Sequence, residues 1–324
     1  MNDHIAFALR MTGPQKGGDI TQEAEIAQAV AEDTPAWLHL SATHPGTPAW
    51  IDRHLAYLDP SIRAALTEPE TRPRALRIGA GFLVILRGIN HNAGEDPEDM
   101  VSVRMYIDPA RIVSLSRRPL RSIETLAERV RAGTGPEGAG GFLADLVELL
   151  TDRIEEQVTD LDRRSDMLEA QVIENPRDEL GPEIADQRLE LTDLRRFLTP
   201  QKDAVGNILR PEVDWLYQGD MAKLAEQHDQ LTRVVETLDA VRETLGTIRD
   251  EVDRARDERL NRNLYVLSVI SAVFLPLGFL TGLMGINLAG MPGAEWVPAF
   301  WTFTIALVAV SAGVLVVLKW MKVL

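Results

Sequence analysis

The chain has no cysteine among its 324 residues. That excludes a disulfide framework and any thiolate-held metal site, and it fits a reducing compartment. Catalytic signatures are missing as well. There is no Walker or Rossmann glycine pattern, no HExxH and no GxSxG, so nothing in the sequence points to an enzyme. Positive charge is scarce: 34 Lys and Arg face 49 Asp and Glu, a net charge of −15, which argues against nucleic acid as a partner. The opening MNDHIAFALRMTG lacks an apolar core of signal-peptide length, so no secretion signal is expected there.

The most informative absence is local. Residues 264–286 (LYVLSVISAVFLPLGFLTGLMGI) and 296–318 (WVPAFWTFTIALVAVSAGVLVVL) carry no charged side chain. About 20 apolar residues cross a bilayer as a helix, so two membrane spans are expected, with lipid as their surroundings. Pro276 inside the first run is better tolerated in a membrane helix than in a soluble one. Arg254, Arg256, Arg259 and Arg262 precede the first span, Lys319 and Lys322 follow the second, and the connecting loop has no Lys or Arg. The positive-inside rule then places both termini in the cytoplasm and the loop outside, with Trp296, Trp301 and Trp320 suited to the interfaces.

What is present falls into three parts. Residues 1–140 read as a cytoplasmic α/β domain. Its candidate strands are IAFAL, AWLHL, GFLVILRGI, VSVRMYI and RIVSLS, with helical pieces near 47–66 and 119–132. The glycine-rich AGTGPEGAGG (132–141) marks a break. Residues 141–263 read as a helical stalk. Val147, Ile154, Leu161 and Leu168 repeat every seven residues, Pro176 and GPE (181–183) mark a turn, and Ile184, Leu191, Leu194 and Leu198 share a face of a second helix. Leu224, Leu231, Leu238, Leu245 and Val252, with Val234, Val241, Ile248 and Ala255 three residues on, form a coiled-coil-like stripe. No break separates that stripe from the first span, so one helix from about 221 to 284, roughly 95 Å long, is expected. Residues 264–324 complete the chain as two transmembrane helices joined by an extracytoplasmic loop, 285–295.

Away from the stripe, the long helix carries a second pattern. Glu236, Asp239, Glu243, Gly246, Asp250, Asp253 and Asp257 recur at three- and four-residue steps and continue through Leu260 into Leu264, Leu267, Ser271, Leu275, Gly278 and Gly282. In a single chain this is a solvated helix face. Around a symmetry axis it becomes a cation-attracting vestibule leading into a pore. Two spans cannot enclose a pore alone, so an ion path requires several copies.

A long acidic helix entering the first of two C-terminal spans, closed by Gly285-Ile286-Asn287, resembles the CorA superfamily of divalent-cation transporters. The usual signature is Gly-Met-Asn. The aliphatic Ile286 is similar to the zinc-transporting ZntB branch, as are ETRPRALRIGAG (70–81), GTGPEGAGGFL (133–143), RRFLTPQKD (195–203) and FLPLGFLTGLMGINLAGMPG (274–293). The resemblance covers nearly the whole chain in the same order.

The resemblance implies a funnel-shaped homopentamer in the inner membrane, with the first span lining the pore and the second facing lipid. Gly285, Ile286 and Asn287 would form the selectivity filter, Asn287 meeting the metal through its hydration water. The pore-lining positions would be Leu264, Leu267, Ser271, Leu275, Gly278 and Gly282, with Glu295 at the outer mouth adding to the acidic face. No cofactor is implied: zinc is the cargo, other divalent cations such as nickel, cobalt or cadmium could follow it, and a proton gradient is associated with that branch. Neither span holds an Asp, Glu or His, so protons would have to move with pore water or titrate Glu295 or the acidic face. The histidines His4, His39, His44, His54, His91 and His228 lack metal-ligand spacing. Two alternatives stand beside this reading: a CorA-type magnesium, cobalt or nickel channel, and a membrane-anchored coiled-coil scaffold or metal sensor without transport.

Overall fold

The computed structural model describes residues 4–32, 35–175, 178–210, 213–286, 293 and 296–320. The chain divides into two compact units. The first holds Met1–Asn175 and Glu179–Arg249, and the second includes Asp250–Leu324.

The first unit is built on one six-stranded sheet. Its strands are β1 (Ile5–Arg10), β2 (Ala36–Ser41), β3 (Arg74–Ile78), β4 (Gly81–Gly88), β5 (Val101–Asp108) and β6 (Arg111–Ser116), in the order β1-β2-β6-β5-β4-β3. The β2–β6 pair is parallel and the other pairs are antiparallel. The continuous apolar run of β4 is explained by helices covering both faces of the sheet. One face carries Val84, Leu86, Val103, Met105 and Ile107 against α4 (Arg121–Arg131) and the start of α5 (Ala139–Glu174). The other carries Leu38, Leu40, Leu83, Tyr106, Val113 and Leu115 against α1 (Glu23–Ala31), α2 (Thr47–His54) and α3 (Pro60–Thr67).

Local chemistry fixes several ends. Asp59 caps α3 by accepting from the Ser61 amide at 2.8 Å, with Pro60 in the first turn. Arg104 points from β5 to the end of α3 and the chain just beyond it, where its guanidinium donates to the carbonyls of Leu66, Glu68 and Pro69. At Gly140 a Cβ would lie 2.7 Å from the Trp215 carbonyl oxygen, so only glycine lets that segment approach the start of α5. Trp215 is held in turn by donating to the Ala80 carbonyl at 2.7 Å.

Three helices form the other half of the first unit: α5, α6 (Gly181–Leu209) and α7 (Gln218–Met284) as far as Arg249. The α6 face read from the sequence is buried at Ile184, Leu191, Leu194 and Leu198. The heptad stripe of α7 is also buried within the chain, at Leu224, Leu231, Val234, Leu238, Val241, Leu245 and Ile248. Polar contacts flank it. Lys223 reaches Asp145 (2.6 Å) and Glu148 (2.7 Å) on α5, and Arg195 on α6 reaches Asp239 at 2.8 Å. Between α5 and α6, Glu190 accepts both guanidinium contacts of Arg164 (2.8 and 2.7 Å) and one from Gln157 (2.8 Å).

The second unit holds the rest of α7 and α8 (Ala299–Trp320). Both contain windows apolar enough to cross a membrane, and no residue of those windows is buried. Ser268 and Thr281 do not break the apolar character of α7, because their hydroxyls donate to the carbonyls of Leu264 and Leu277, each at 2.8 Å.

Candidate pore helix and outer mouth

The candidate site is a face of α7. In the first unit Glu236 and Glu243 are exposed, while Asp239 is half-buried and paired with Arg195. That cation was invisible to a reading along α7 alone, because it arrives from α6. In the second unit Asp250, Asp253 and Asp257 are exposed. The apolar positions follow on the same helix: Leu264 and Leu267 are each 61% exposed and Leu275 is 77% exposed. Ser271, Gly278 and Gly282 are exposed as well, and a Cβ added at either glycine would meet no atom within 4 Å.

The sequence places these side chains together through helical period. Steps of three and four residues keep a row on one side of an α-helix. The row changes from carboxylates to leucines and then to small residues as α7 enters its apolar segment. Pro276 lacks an amide and so leaves the Ala272 carbonyl without its usual helical donor; α7 nevertheless continues through it to Met284. The helix then stops where the Gly285 amide donates to Thr281 (2.9 Å) and Gly282 (3.2 Å) carbonyls. Ile286 is exposed at the end of this turn. Asn287 and Glu295, expected at the outer mouth, lie outside the described residues.

No group of three or more His, Asp or Glu side chains is placed to hold a metal ion among the described residues. His39 is buried with its ring nitrogens 2.8 Å from Ser114 Oγ and 3.2 Å from Ser116 Oγ, and burial holds its pKa down to about 4. The His4 and His54 rings each lie against Trp50, and His44 lies against His4. The α7 face therefore offers a cation carboxylates, small side chains and space, and its chemistry is attraction rather than tight ligation.

Residues 32–319 match the family model described as CorA-like Mg2+ transporter protein. The chain is 37% identical over 299 residues to "Zinc transport protein ZntB" of Pectobacterium atrosepticum, covering 92% of this chain and 90% of that protein. It is 36% identical over 269 residues to "Divalent cation transporter CmaX" of Pseudomonas aeruginosa, covering 82% and 80%. Its fold superposes on the solved structure of full-length CmaX with a TM-score of 0.83, at 31% identity and 99% coverage of both chains.

Proposed function

The chain belongs to the family of CorA-like Mg2+ transporter proteins, and from that premise we propose that it carries zinc across the bacterial inner membrane. The transporting form is a homopentamer in which five copies of α7 surround the ion path and α8 faces lipid. The observation that carries this reading is the row on α7, exposed at Glu236, Glu243, Asp250, Asp253 and Asp257 and on through Leu264, Leu267, Ser271, Leu275, Gly278 and Gly282. Large apolar side chains left uncovered in one chain need lipid or further copies to cover them. The carboxylates concentrate cations at the cytoplasmic end, the leucines act as apolar constrictions, and the glycines leave room for water.

Zinc prefers nitrogen, sulfur or carboxylate ligands in a closed tetrahedron. The spans supply none of these, so the ion passes with most of its water. Gly285, Ile286 and Asn287 form the filter, with the Asn287 oxygens contacting hydration water, and Glu295 adds one carboxylate per subunit outside. Both termini face the cytoplasm, in keeping with the Arg and Lys flanks. A proton gradient drives the movement, its protons carried by pore water or by Glu295. A second reading is a magnesium, cobalt or nickel channel, favoured by the description of the matching family model and by the broader name of the Pseudomonas relative.

Purified protein in liposomes tests these assignments. Asn287→Ala is expected to lower zinc flux at least tenfold, and unchanged flux removes Asn287 from the mouth. Flux indifferent to a pH gradient removes proton coupling, and coupling that survives Glu295→Gln removes that carboxylate as its carrier. Magnesium flux that outruns zinc selects the second reading.

A further inference from the structure

The pore account uses neither ETRPRALRIGAG nor RRFLTPQKD, yet these stretches meet in space. Glu70, Thr71 and Arg72 of the first and Arg196 and Phe197 of the second line a cavity of about 660 Å³ lying wholly within the first unit. The cavity opens at the end of the sheet where β4 and β6 finish and β5 begins, with α6 alongside. Five arginines line it: Arg72, Arg87, Arg117, Arg118 and Arg196. In a chain with net charge −15, such a gathering calls for a reason.

The basic wall is built, not incidental. Arg87 is fixed from four directions. Gln201 on α6 clamps its backbone, accepting from the Arg87 amide (2.7 Å) and donating to its carbonyl (3.0 Å). The guanidinium donates to the carbonyls of Met100 (2.7 Å) and Thr71 (2.9 Å), and it lies 3.9 Å from the Phe197 ring centre. Arg117 is anchored by donating to the Pro69 carbonyl. These partners are neutral, so they orient the cations without cancelling them. Of the five, Arg118 alone has an ion-pair partner among the described residues, Glu95 at 2.6 Å.

The crowding of the arginines shows in the acid–base balance. Burial, then the neighbouring Arg196 and Arg117, pull the Arg87 pKa down to about 10, and burial with Arg117 and Arg87 does the same to Arg104 behind the wall. Glu70, Glu98, Asp99 and Asp193 line the cavity too; Glu70 acts against the lowering of Arg87, and Glu98 is raised by burial and by the carboxylates of Glu190, Asp96 and Asp99. Two buried polar atoms at the wall, Thr71 Oγ1 and Arg87 Nε, have no hydrogen-bond partner, and Thr71 is itself only 7% exposed. Unpaired buried donors are costly, and a bound acceptor relieves that cost.

We propose that this cavity binds a small oligophosphate, either pyrophosphate or the phosphate tail of a nucleotide, on the wall formed by Arg72, Arg87, Arg117 and Arg196. Guanidinium forks match phosphate oxygens, and several forks converging from separate segments favour an anion of more than one charge. The volume lies within the range of ordinary small-molecule pockets. Arg195, next to the lining residue Arg196, is the residue that pairs with Asp239 on α7, so an occupant would sit one residue from a contact to the pore helix.

Titration calorimetry on the full-length protein in detergent micelles tests this, with sodium pyrophosphate and ATP as separate probes in metal-free buffer. The variant combines Arg72→Gln and Arg196→Gln. Both side chains are exposed and neither is held in an ion pair among the described residues, so folding is not at stake. Saturable binding of at least one probe, weakened fivefold or more in the variant and unchanged in the remote Arg163→Gln, is the expected result. Equal affinity for both probes identifies the bare oligophosphate, and tighter binding of ATP identifies a nucleotide; either supports the site. No saturable binding of either probe, or a variant that weakens it by less than fivefold, overturns the proposal. Zinc flux is not the readout, so this result stands apart from the transport assignment.

Discussion

Gly282→Leu separates a pore-lining position from a lipid-facing one. A Cβ added at Gly282 meets no atom within 4 Å in the single chain, and α7 is helical on both sides of it. The substitution therefore carries no steric penalty within the chain. In a helix interior leucine is favoured over glycine by roughly 0.8 kcal/mol, so the helix gains rather than loses stability. Any loss of transport must then come from what the side chain meets in the assembly. Five copies would place five isobutyl groups on one ring of the ion path, an apolar constriction that a hydrated cation crosses poorly. A tenfold fall in flux needs a barrier of about 1.4 kcal/mol, or roughly 0.3 kcal/mol from each of five side chains. Zinc entry into proteoliposomes loaded with a zinc-sensitive dye measures it, with oligomeric state checked in parallel. Gly313→Leu on α8, where a Cβ also meets nothing within 4 Å, is the control and should leave flux within twofold. Wild-type flux in Gly282→Leu, with the oligomer intact, would refute the assignment of this face to the pore.

Two further predictions concern the first unit. Leu238, wholly buried in the α7 stripe, should cost roughly 2–5 kcal/mol when cut to alanine, seen as a lower thermal midpoint in detergent. A change under 1 kcal/mol (estimated from the same series) would mean that the stripe is not packed within the chain. His39 is neutral when folded, with its pKa held down from 6.5 to about 4 by burial, so the unfolded chain takes up the proton first. Stability should then be full above pH 6.5 and fall between pH 6.5 and 4, by roughly 3 kcal/mol in total. Chemical denaturation across that window measures the slope, and His39→Gln should flatten it; an equally steep variant would show that another group titrates there.

Several elements were legible because their signals are local. Five strands are legible as short apolar runs, and α7, expected from about 221, begins at Gln218. Strand β3 (RALRI) was missed: it lies at the sheet edge, its arginines are exposed, and only Ala75 is buried. Helix α1 was missed because Ile26, Ala29 and Val30 alone are buried in nine residues. The acidic and leucine row on α7 could be read from spacing, since one helix carries it. The Arg195–Asp239 pair could not, because the partner comes from a different helix. The arginine cavity was equally hidden: its arginines come from four separate stretches, brought together only by the sheet order and by α6.

The most direct test of the central claim is zinc flux itself. The full-length protein, reconstituted into liposomes carrying a zinc-sensitive dye, is challenged with zinc outside, beside protein-free liposomes and a parallel magnesium assay. Zinc entry is expected to scale with the amount of protein and to exceed magnesium entry. Zinc entry no faster than into protein-free liposomes, from protein that is folded and oligomeric, would contradict it.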